Sequence, residues 1–440
     1  MKPIKVGLLG VGNVGSGTFN VLERNQEEIR RRAGRGIEVV AVSARNLERA
    51  KERTGGKVKV VADPFDIVND PEIDIVVELI GGYDEAKALV LQAIANGKHV
   101  VTANKALLAV HGNEIFAAAQ AKGVMVAFEA AVAGGIPIIK ALREGLTANR
   151  IEWLAGIING TTNFILSEMR DKGLDFATVL KQAQELGYAE ADPTFDIEGV
   201  DAAHKATIMS AIAFGIPVQF DKAHVEGISK LNAVDIRYAE QLGYRIKLLG
   251  IAKRATVNGK EGVELRVHPT LIPNKRLIAN VEGAMNAVLV QGDAVGATLY
   301  SGKGAGSEPT ASAVIADLVD ITRLATADPE HRVPHLAFQP NAMTNIEILP
   351  MSEVTTSYYL RMNVEDQPGV LADLTRILAD GTISIDAMMQ KEPAEGETRT
   401  DIIFLTHQTQ EKNVTAAIAK MEALTTVHGT VTKIRLENLS

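Results

Sequence analysis

Asp201 and Lys205 stand four residues apart in Asp201-Ala202-Ala203-His204-Lys205, inside a stretch from Gly199 to Phe214 whose residues predict a helix. That spacing puts a carboxylate and an ammonium on one helical face, where they can handle a proton at a carbonyl or hydroxyl. An ordinary solvated ion pair has the same spacing, so the pair alone does not decide. A second lysine, Lys105, follows a predicted strand in Thr102-Ala103-Asn104-Lys105. A lysine opening a helix opposes the helix dipole, so an anionic or carbonyl ligand explains Lys105 better than helix stability does. Ahead of the pair, Gly187-Tyr188-Ala189-Glu190-Ala191-Asp192-Pro193 carries two carboxylates, readable as ligands or as a polar loop before the proline.

These side chains need a scaffold, and the first 150 residues read as alternating strands and helices. An apolar run, Ile4 to Leu9, meets Gly10-Val11-Gly12-Asn13-Val14-Gly15 and then a helical pattern from Ser16 to Arg32. Gly10 permits a tight turn, Gly12 lets backbone approach a pyrophosphate, Gly15 lets helix pack on strand, and the helix N-terminus offers donors. The position of this fingerprint, directly after a buried strand, points to dinucleotide binding. The second strand, Ile37 to Val42, ends in Ser43-Ala44-Arg45 rather than an acid, so Arg45 suits the 2'-phosphate of NADP better than the bare ribose of NAD. Further strands at Ile73 to Ile80 and His99 to Ala103, with helices Asp84 to Asn96 and Lys105 to Ala121, predict a parallel sheet. The Gly81-Gly82 turn and Thr102 to Lys105 then fall at carboxyl ends of strands, where open α/β sheets bind ligands.

Composition narrows the classes. At 440 residues the chain should divide into about three domains, and 46% hydrophobic with 23% charged residues is ordinary for a globular protein. The apolar runs are strand-length, so no membrane segment is expected, and the N-terminus runs straight into a strand; the reading is cytoplasmic. A net charge of -8 gives no basic footprint, so no nucleic-acid partner is expected. The chain has no cysteine, which removes disulfides, thiolate metal sites and thiol nucleophiles. Its nine histidines show no zinc-ligand spacing.

From about residue 148 the pattern changes. Ile151 to Ile158, Val263 to Ile272, Ala284 to Gln291 and Ala294 to Tyr300 read as strands; Phe164 to Arg170, Phe176 to Leu186, Ala202 to Phe214 and Val234 to Leu242 read as helices. A glycine cluster, Gly302-Lys303-Gly304-Ala305-Gly306, leads into a capped helix at Ser307 and either returns to the cofactor or is a flexible loop. The expected division is 1–147 for dinucleotide binding, completed by 307–340, then 148–306 for substrate, a linker at 341–355, and a β-α-β-β-α-β tail at 356–440.

Gly10-x-Gly12-x-x-Gly15, Thr102-Ala-Asn104-Lys105, Glu129-Ala-Ala-Val132-Ala-Gly134-Gly-Ile136-Pro137, Gly156-Ile-Ile-Asn159-Gly160-Thr-Thr-Asn163, Gly187-Tyr-Ala-Glu190-Ala-Asp192-Pro193 and Asp201-Ala-Ala-His-Lys205 together resemble homoserine dehydrogenase over nearly the whole chain. Through Asp366-x-Pro368-Gly369-Val370-Leu371 the tail resembles an ACT domain. The resemblance implies an α/β fold with an N-terminal Rossmann-like parallel sheet, an α+β substrate domain and a C-terminal ferredoxin-like ACT domain. It implies reversible NAD(P)-dependent interconversion of L-homoserine and L-aspartate 4-semialdehyde, in threonine and methionine biosynthesis. Lys205 becomes the proton donor, Asp201 the residue that holds substrate or water, and Lys105 a neighbour of cofactor and substrate. Gly187 and Glu190 become substrate ligands, and Gly10, Gly12, Asn13, Val14, Gly15, Arg45, Thr102, Lys105 and Gly302 hold the cofactor. Glu129, Val132, Gly134 and Ile136 become ligands of a monovalent cation, sodium by the hardness of oxygen donors, although from the residues alone a bend joining two domains fits as well. Lys303 departs from the proline found there in some relatives. The implied effector is L-threonine, acting on a homo-oligomer, dimer or tetramer, partly joined by the tail.

Two alternatives stand beside this reading. Aspartate-semialdehyde dehydrogenase needs a cysteine for its thioester, and this chain has none. A non-catalytic amino-acid sensor has no use for both Lys105 and Lys205.

Overall fold

The computed structural model describes every residue except Met1, Glu392, Ala394 and Glu395, so the first residue of the expected N-terminal domain and three of the expected tail lie outside the description. The chain forms two compact units: 1–160 with 201–223 and 284–346, and 161–200 with 224–283 and 347–440. They cut across the sequential boundaries expected at 147, 306 and 355. Within the first unit Ile151–Ile157 finds its antiparallel partner in Met285–Gly292, far along the chain.

The first unit holds a six-stranded parallel sheet in the order Lys59–Val61, Ile37–Ser43, Ile4–Leu9, Ile75–Glu78, His99–Thr102, Val126–Ala127. Such strands are buried on both faces and so read as unbroken apolar runs; Val6, Leu8, Ile75 and Val77 are fully enclosed. The strand order reverses beside Ile4–Leu9, and the crevice beyond a reversal point is where an open α/β sheet takes its ligand. The helical pattern from Ser16 to Arg32 is two helices, Asn13–Arg24 and Gln26–Ala33, because Asn25 leaves helical geometry and caps the first. Ser307–Leu324 packs against Asn13–Arg24 and puts Ala313, Val314 and Leu318 into the sheet's core. Gly17 makes the contact possible, since a Cβ there would meet the Ser307 Oγ at 2.4 Å. The edge strand Val126–Ala127 is held by two imidazoles: Met125 N donates to His99 Nδ1 at 2.9 Å and Val126 N to His335 Nε2 at 3.1 Å. Burial pushes both histidines down to about 4, which keeps those nitrogens available as acceptors at neutral pH.

The second unit centres on a hairpin of two long strands, Tyr244–Val257 and Lys260–Pro273. Its two-residue turn is Asn258-Gly259, both at positive φ (51° and 77°), as a type I′ turn requires. Lys260–Pro273 pairs in parallel with Val427–Leu436, which continues through Thr355–Glu365 and Arg399–Thr406 to Ile385–Gln390. The helices Val370–Asp380 and Glu411–Glu422 enclose one core with that sheet, through Leu374, Leu378, Phe404 and Met421. The tail is therefore ferredoxin-like, and the stretch read as a linker contributes Glu347–Ile348, paired with Gly262 and Val263. No helix among the described residues is long and apolar enough to cross a membrane.

Candidate active site

The helix Val200–Phe214 is buried along almost its whole length, so Asp201 is enclosed rather than solvated, with 5% of its side chain exposed. Its Oδ2 receives the Lys205 ammonium at 2.6 Å and the Asn159 amide at 2.8 Å. Its Oδ1 faces the Lys105 ammonium at 3.3 Å. Burial by itself would raise this carboxyl; the Lys205 and Lys105 charges, helped by Asn159, overcome it and hold the group down at about 2. Lys205 also donates to the Ile158 carbonyl at 2.8 Å, so two of its three N–H directions are set by the protein. His204, on the same helix, packs edge-on against Phe220, and burial pushes it down to about 4. It is neutral at pH 7.

Lys105 reaches this point because the turn before it is pinned. Asn104 caps the helix Lys105–Lys122 by accepting from Leu107 N at 3.0 Å, and its amide donates to the Gly82 carbonyl at 2.8 Å. Thr102 donates to Glu78 at 2.7 Å, and Glu78 also accepts from Ile80 N and Gly81 N, each at 2.9 Å. One buried carboxylate thus ties the Gly81-Gly82 turn to the end of the next strand. The unfavourable dipole at Lys105 is met by Asp201, an anion from the protein's own chain. The Thr102 hydroxyl is spent on Glu78 and on accepting from Asn104 N at 3.0 Å, and the residue is fully buried, so the structure does not bring it into the cleft lining.

The crevice at the strand reversal is an open cleft of about 400 Å³ lined by Gly10, Gly12, Arg45, Arg49, Arg53 and Ile80, among others. Gly10 has φ +96°, and a Cβ on Gly15 would lie 2.2 Å from the Gly10 carbonyl, so both positions require glycine. Nothing lies within 4 Å of where a Gly12 Cβ would be, which leaves the backbone open to the cleft. The N–H groups of Asn13, Val14 and Gly15 precede the first intrahelical bond, Ser16 N to Gly12 O at 3.0 Å, and are free for an anion's oxygens. These residues fit a dinucleotide. Arg45 is exposed at the tip, and Arg53 donates to the Val11 carbonyl. Gly302 lies in the strand Gly296–Lys303, paired with Asn286, rather than in a loop.

Glu129 is 1% exposed and accepts from Ile139 N at 2.9 Å and Lys140 N at 2.8 Å, while its own N–H donates to Asp317 at 2.8 Å. Burial, reinforced by Asp317, pushes its carboxyl up to about 7. Val132 and Ile136 are buried beside it in sequence, and the turn between them has two successive positive-φ residues, Ala133 at 54° and Gly134 at 40°. No group of three or more His, Cys, Asp or Glu suited to a metal occurs among the described residues, so any cation here would rest largely on carbonyl oxygens. Gly187 and Glu190 belong to the second unit, on an exposed turn after the helix Phe176–Glu185; Gly187 has φ +76° and the Glu190 carbonyl accepts from Gln184 at 3.0 Å.

Several residues that matter here carry little signal along the chain. Asn159 is visible in the sequence only as a motif member, and Glu78 only as an acid ending an apolar run. Arg49 and Arg53 reach the cleft because the short helix Leu47–Arg53, capped by Asn46, comes directly after the second strand. The Ile158 carbonyl has no side-chain signature at all.

Residues 10–129 match the NAD-binding domain of homoserine dehydrogenase, 137–319 match homoserine dehydrogenase itself, and 358–424 match the ACT domain. A homoserine dehydrogenase of Pseudomonas aeruginosa is 64% identical over 440 residues, the whole of both chains. The crystal structure of a homoserine dehydrogenase from Thiobacillus denitrificans has a TM-score of 0.95 at 72% identity, covering 100% of this chain and 99% of that one. A hyperthermophilic archaeal homoserine dehydrogenase in complex with NADPH has a TM-score of 0.62 at 26% identity, covering 74% of this chain and 99% of that one. Identity of this order over the full length of both chains leaves one assignment, and the chain belongs to the homoserine dehydrogenase family of oxidoreductases, with an ACT domain at its C-terminus.

Proposed function

We propose that Lys205 and Lys105, gathered on Asp201, carry the proton chemistry of homoserine oxidation and its reverse, with NADP as the preferred cofactor. The observation that carries this reading is the buried Asp201 carboxylate with one ammonium on each oxygen. When bound, the nicotinamide supplies hydride transfer, which leaves the protein one proton to manage on the substrate oxygen. Lys205 has two N–H directions committed to Asp201 and Ile158, and the third can point at that oxygen. In aldehyde reduction it gives up a proton, and in alcohol oxidation its neutral amine takes one. Lys105 adds positive charge where negative charge develops on oxygen. Lys205→Ala and Lys105→Ala should each lower turnover by about a hundredfold or more, the range for losing a positioned proton-transfer group. Homoserine-dependent reduction of NADP followed by absorbance is the measurement, and near wild-type turnover at either position removes that lysine from the assignment.

The preference for NADP rests on Arg45 and Arg49 beside the cleft, with no acid at the strand tip, and on the archaeal relative described with NADPH. A guanidinium at that point meets a 2'-phosphate with charge-assisted hydrogen bonds that NAD has no group to accept. Arg45→Ala should therefore raise the Michaelis constant for NADP about tenfold while that for NAD stays within twofold. Equal changes with both cofactors would make Arg45 an ordinary loop cation.

The cation this proposal includes is sodium at Glu129, with the carbonyls of Val132, Gly134 and Ile136 as its further oxygen donors; the turn's two positive-φ residues, Ala133 and Gly134, support the reading. A buried carboxyl raised to about 7 is one that a neighbouring cation ionises. Exchanging sodium chloride for choline chloride should then lower the melting temperature of the wild type by a few degrees, since a ligand of the folded state stabilises it by mass action. Glu129→Gln should be indifferent to the exchange, and a wild type that is also indifferent rules the ion out.

The tail offers an amino-acid site at the turn Asp366 to Val370, where Gly369 takes φ +98° ahead of the helix Val370–Asp380. L-threonine, bound there in a homo-oligomer, is the effector this reading proposes. Asp366→Ala should raise the half-inhibiting threonine concentration about tenfold with uninhibited turnover unchanged, within the usual span of allosteric coupling. An unaltered inhibition curve places the effector elsewhere, and an uninhibited wild type leaves the tail as an assembly module.

A further inference from the structure

We propose that Glu226 is a positioning residue, and that its ion pair with Arg435 ties the tail sheet to the turn Ile197–Gly199, which leads directly into the helix carrying Asp201 and Lys205. The functional side of this inference rests on the proton-transfer roles given to those two residues. Glu226 follows the short strand His224–Val225, which lies parallel to Arg266 and Val267, and its own N–H donates to the Val267 carbonyl at 2.8 Å. Its carboxylate takes both terminal nitrogens of Arg435, at 2.8 and 2.9 Å, and stands 2.8 Å from His224 Nε2. Arg435 comes from the tail strand Val427–Leu436 and is 1% exposed. Its other edge donates to Glu411 at 2.8 and 2.6 Å, and Glu411 is further held by Lys433 and by the Tyr358 hydroxyl at 2.8 Å. A planar guanidinium clamped by carboxylates on two edges has no freedom to swing, so it fixes the position of Glu226 as well as its charge.

The next two residues, Gly227 and Ile228, make that position matter. A Cβ on Gly227 would lie 2.2 Å from the Ile197 carbonyl and 2.4 Å from the Glu198 Cα, so two stretches of backbone touch there with no side chain between them. Ile228 N donates to the Ile197 carbonyl at 2.8 Å. Gly199, at φ +83°, rests against the Val225 and Val267 side chains, and a Cβ on it would meet each at 3.3 Å. Its neighbour Val200 opens the helix Val200–Phe214. A displacement of 224–228 therefore reaches Ile197 and Glu198 through backbone contact, and Gly199 through the side chain of Val225, which is stiff at χ1.

The test measures local amide exchange and kinetics together, on the full chain. Glu226→Gln removes the charge and Glu226→Asp keeps it on a shorter arm. In Glu226→Gln, amides of 197–204 should exchange at least about fivefold faster than in the wild type, while those of 4–9 and 307–324 keep their rates. Turnover per Michaelis constant for homoserine should fall about fivefold or more, the lower end of typical coupling between sites, with the Michaelis constant for the cofactor within twofold. Glu226→Asp should recover part of both losses, and if Glu226→Gln does not fold, Glu226→Asp against the wild type decides by the same two readings. Unchanged exchange at 197–204, or exchange that rises equally in all these segments, overturns the proposal. A wild type with no homoserine-dependent activity overturns the proton-transfer assignment instead, and the exchange comparison still decides the positioning role of Glu226.

Discussion

A carboxylate taken out of water has to be met by opposite charge, and at Asp201 that requirement organises the site. Two ammoniums on two different helices have to arrive at one enclosed group, so the ends of those helices are not free to vary independently. Taking one partner from a buried pair typically costs about 3–5 kcal/mol, because the remaining charge stays buried without compensation. The two lysines repel each other, and the carboxylate between them is what permits their approach. The outcome is two ammoniums gathered on one carboxylate, each fixed by the protein's own charge. That preorganisation suits a reaction in which the protein's share is one proton and the orientation of two ligands.

The same device recurs at the turns around the crevice. Glu78 gathers two backbone N–H groups and the Thr102 hydroxyl, and Glu129 gathers the N–H groups that open the helix Ile138–Lys140. Loops at strand ends lack ladder partners, so a buried carboxylate can substitute for the missing acceptors and fix a loop's shape. The glycines act in the opposite sense. They remove side chains where backbone must close on backbone, as at Gly15, or on a ligand, as at Gly12.

In the second unit, charge is buried on a larger scale. Arg266 and Arg435 are each 1% exposed; Arg266 is met by Glu264 and Glu437, and Arg435 by Glu226 and Glu411. Such a network gains little net stability over an apolar core, since desolvation consumes much of the attraction. Its geometric demand is strict, however, because each guanidinium admits few arrangements of its carboxylates. His268, fully buried and pushed well below its ordinary range by burial and the two neighbouring arginines, stays neutral and accepts from Arg266 at 2.8 Å. The tail strand Val427–Leu436 is thereby set in one register against Lys260–Pro273.

Much of this is legible in the residues because the signals are local. The strand, glycine turn and helix at Gly10 to Gly15 follow from sterics within a few residues, as does the i, i+4 approach of Asp201 and Lys205. The βαββαβ tail shows in its apolar periodicity. Even the hairpin of Tyr244–Val257 and Lys260–Pro273, of which only the second strand stands out by pattern, carries its mark, since Asn258-Gly259 is the dipeptide that a type I′ turn favours. Residue order thus carries the main run of elements, the family and the motifs in which chemistry-bearing residues stand. Which of them meet is a matter of three-dimensional packing. Nothing near Lys105 announces that Asp201 is its anion, nor anything near Arg435 that Glu226 is its partner. Those pairings depend on distant segments returning to one place, as Met285–Gly292 returns to Ile151–Ile157. Burial, which turns a common helical ion pair into a fixed charge group, is a property of the packed chain, and no spacing of residues along it records that property.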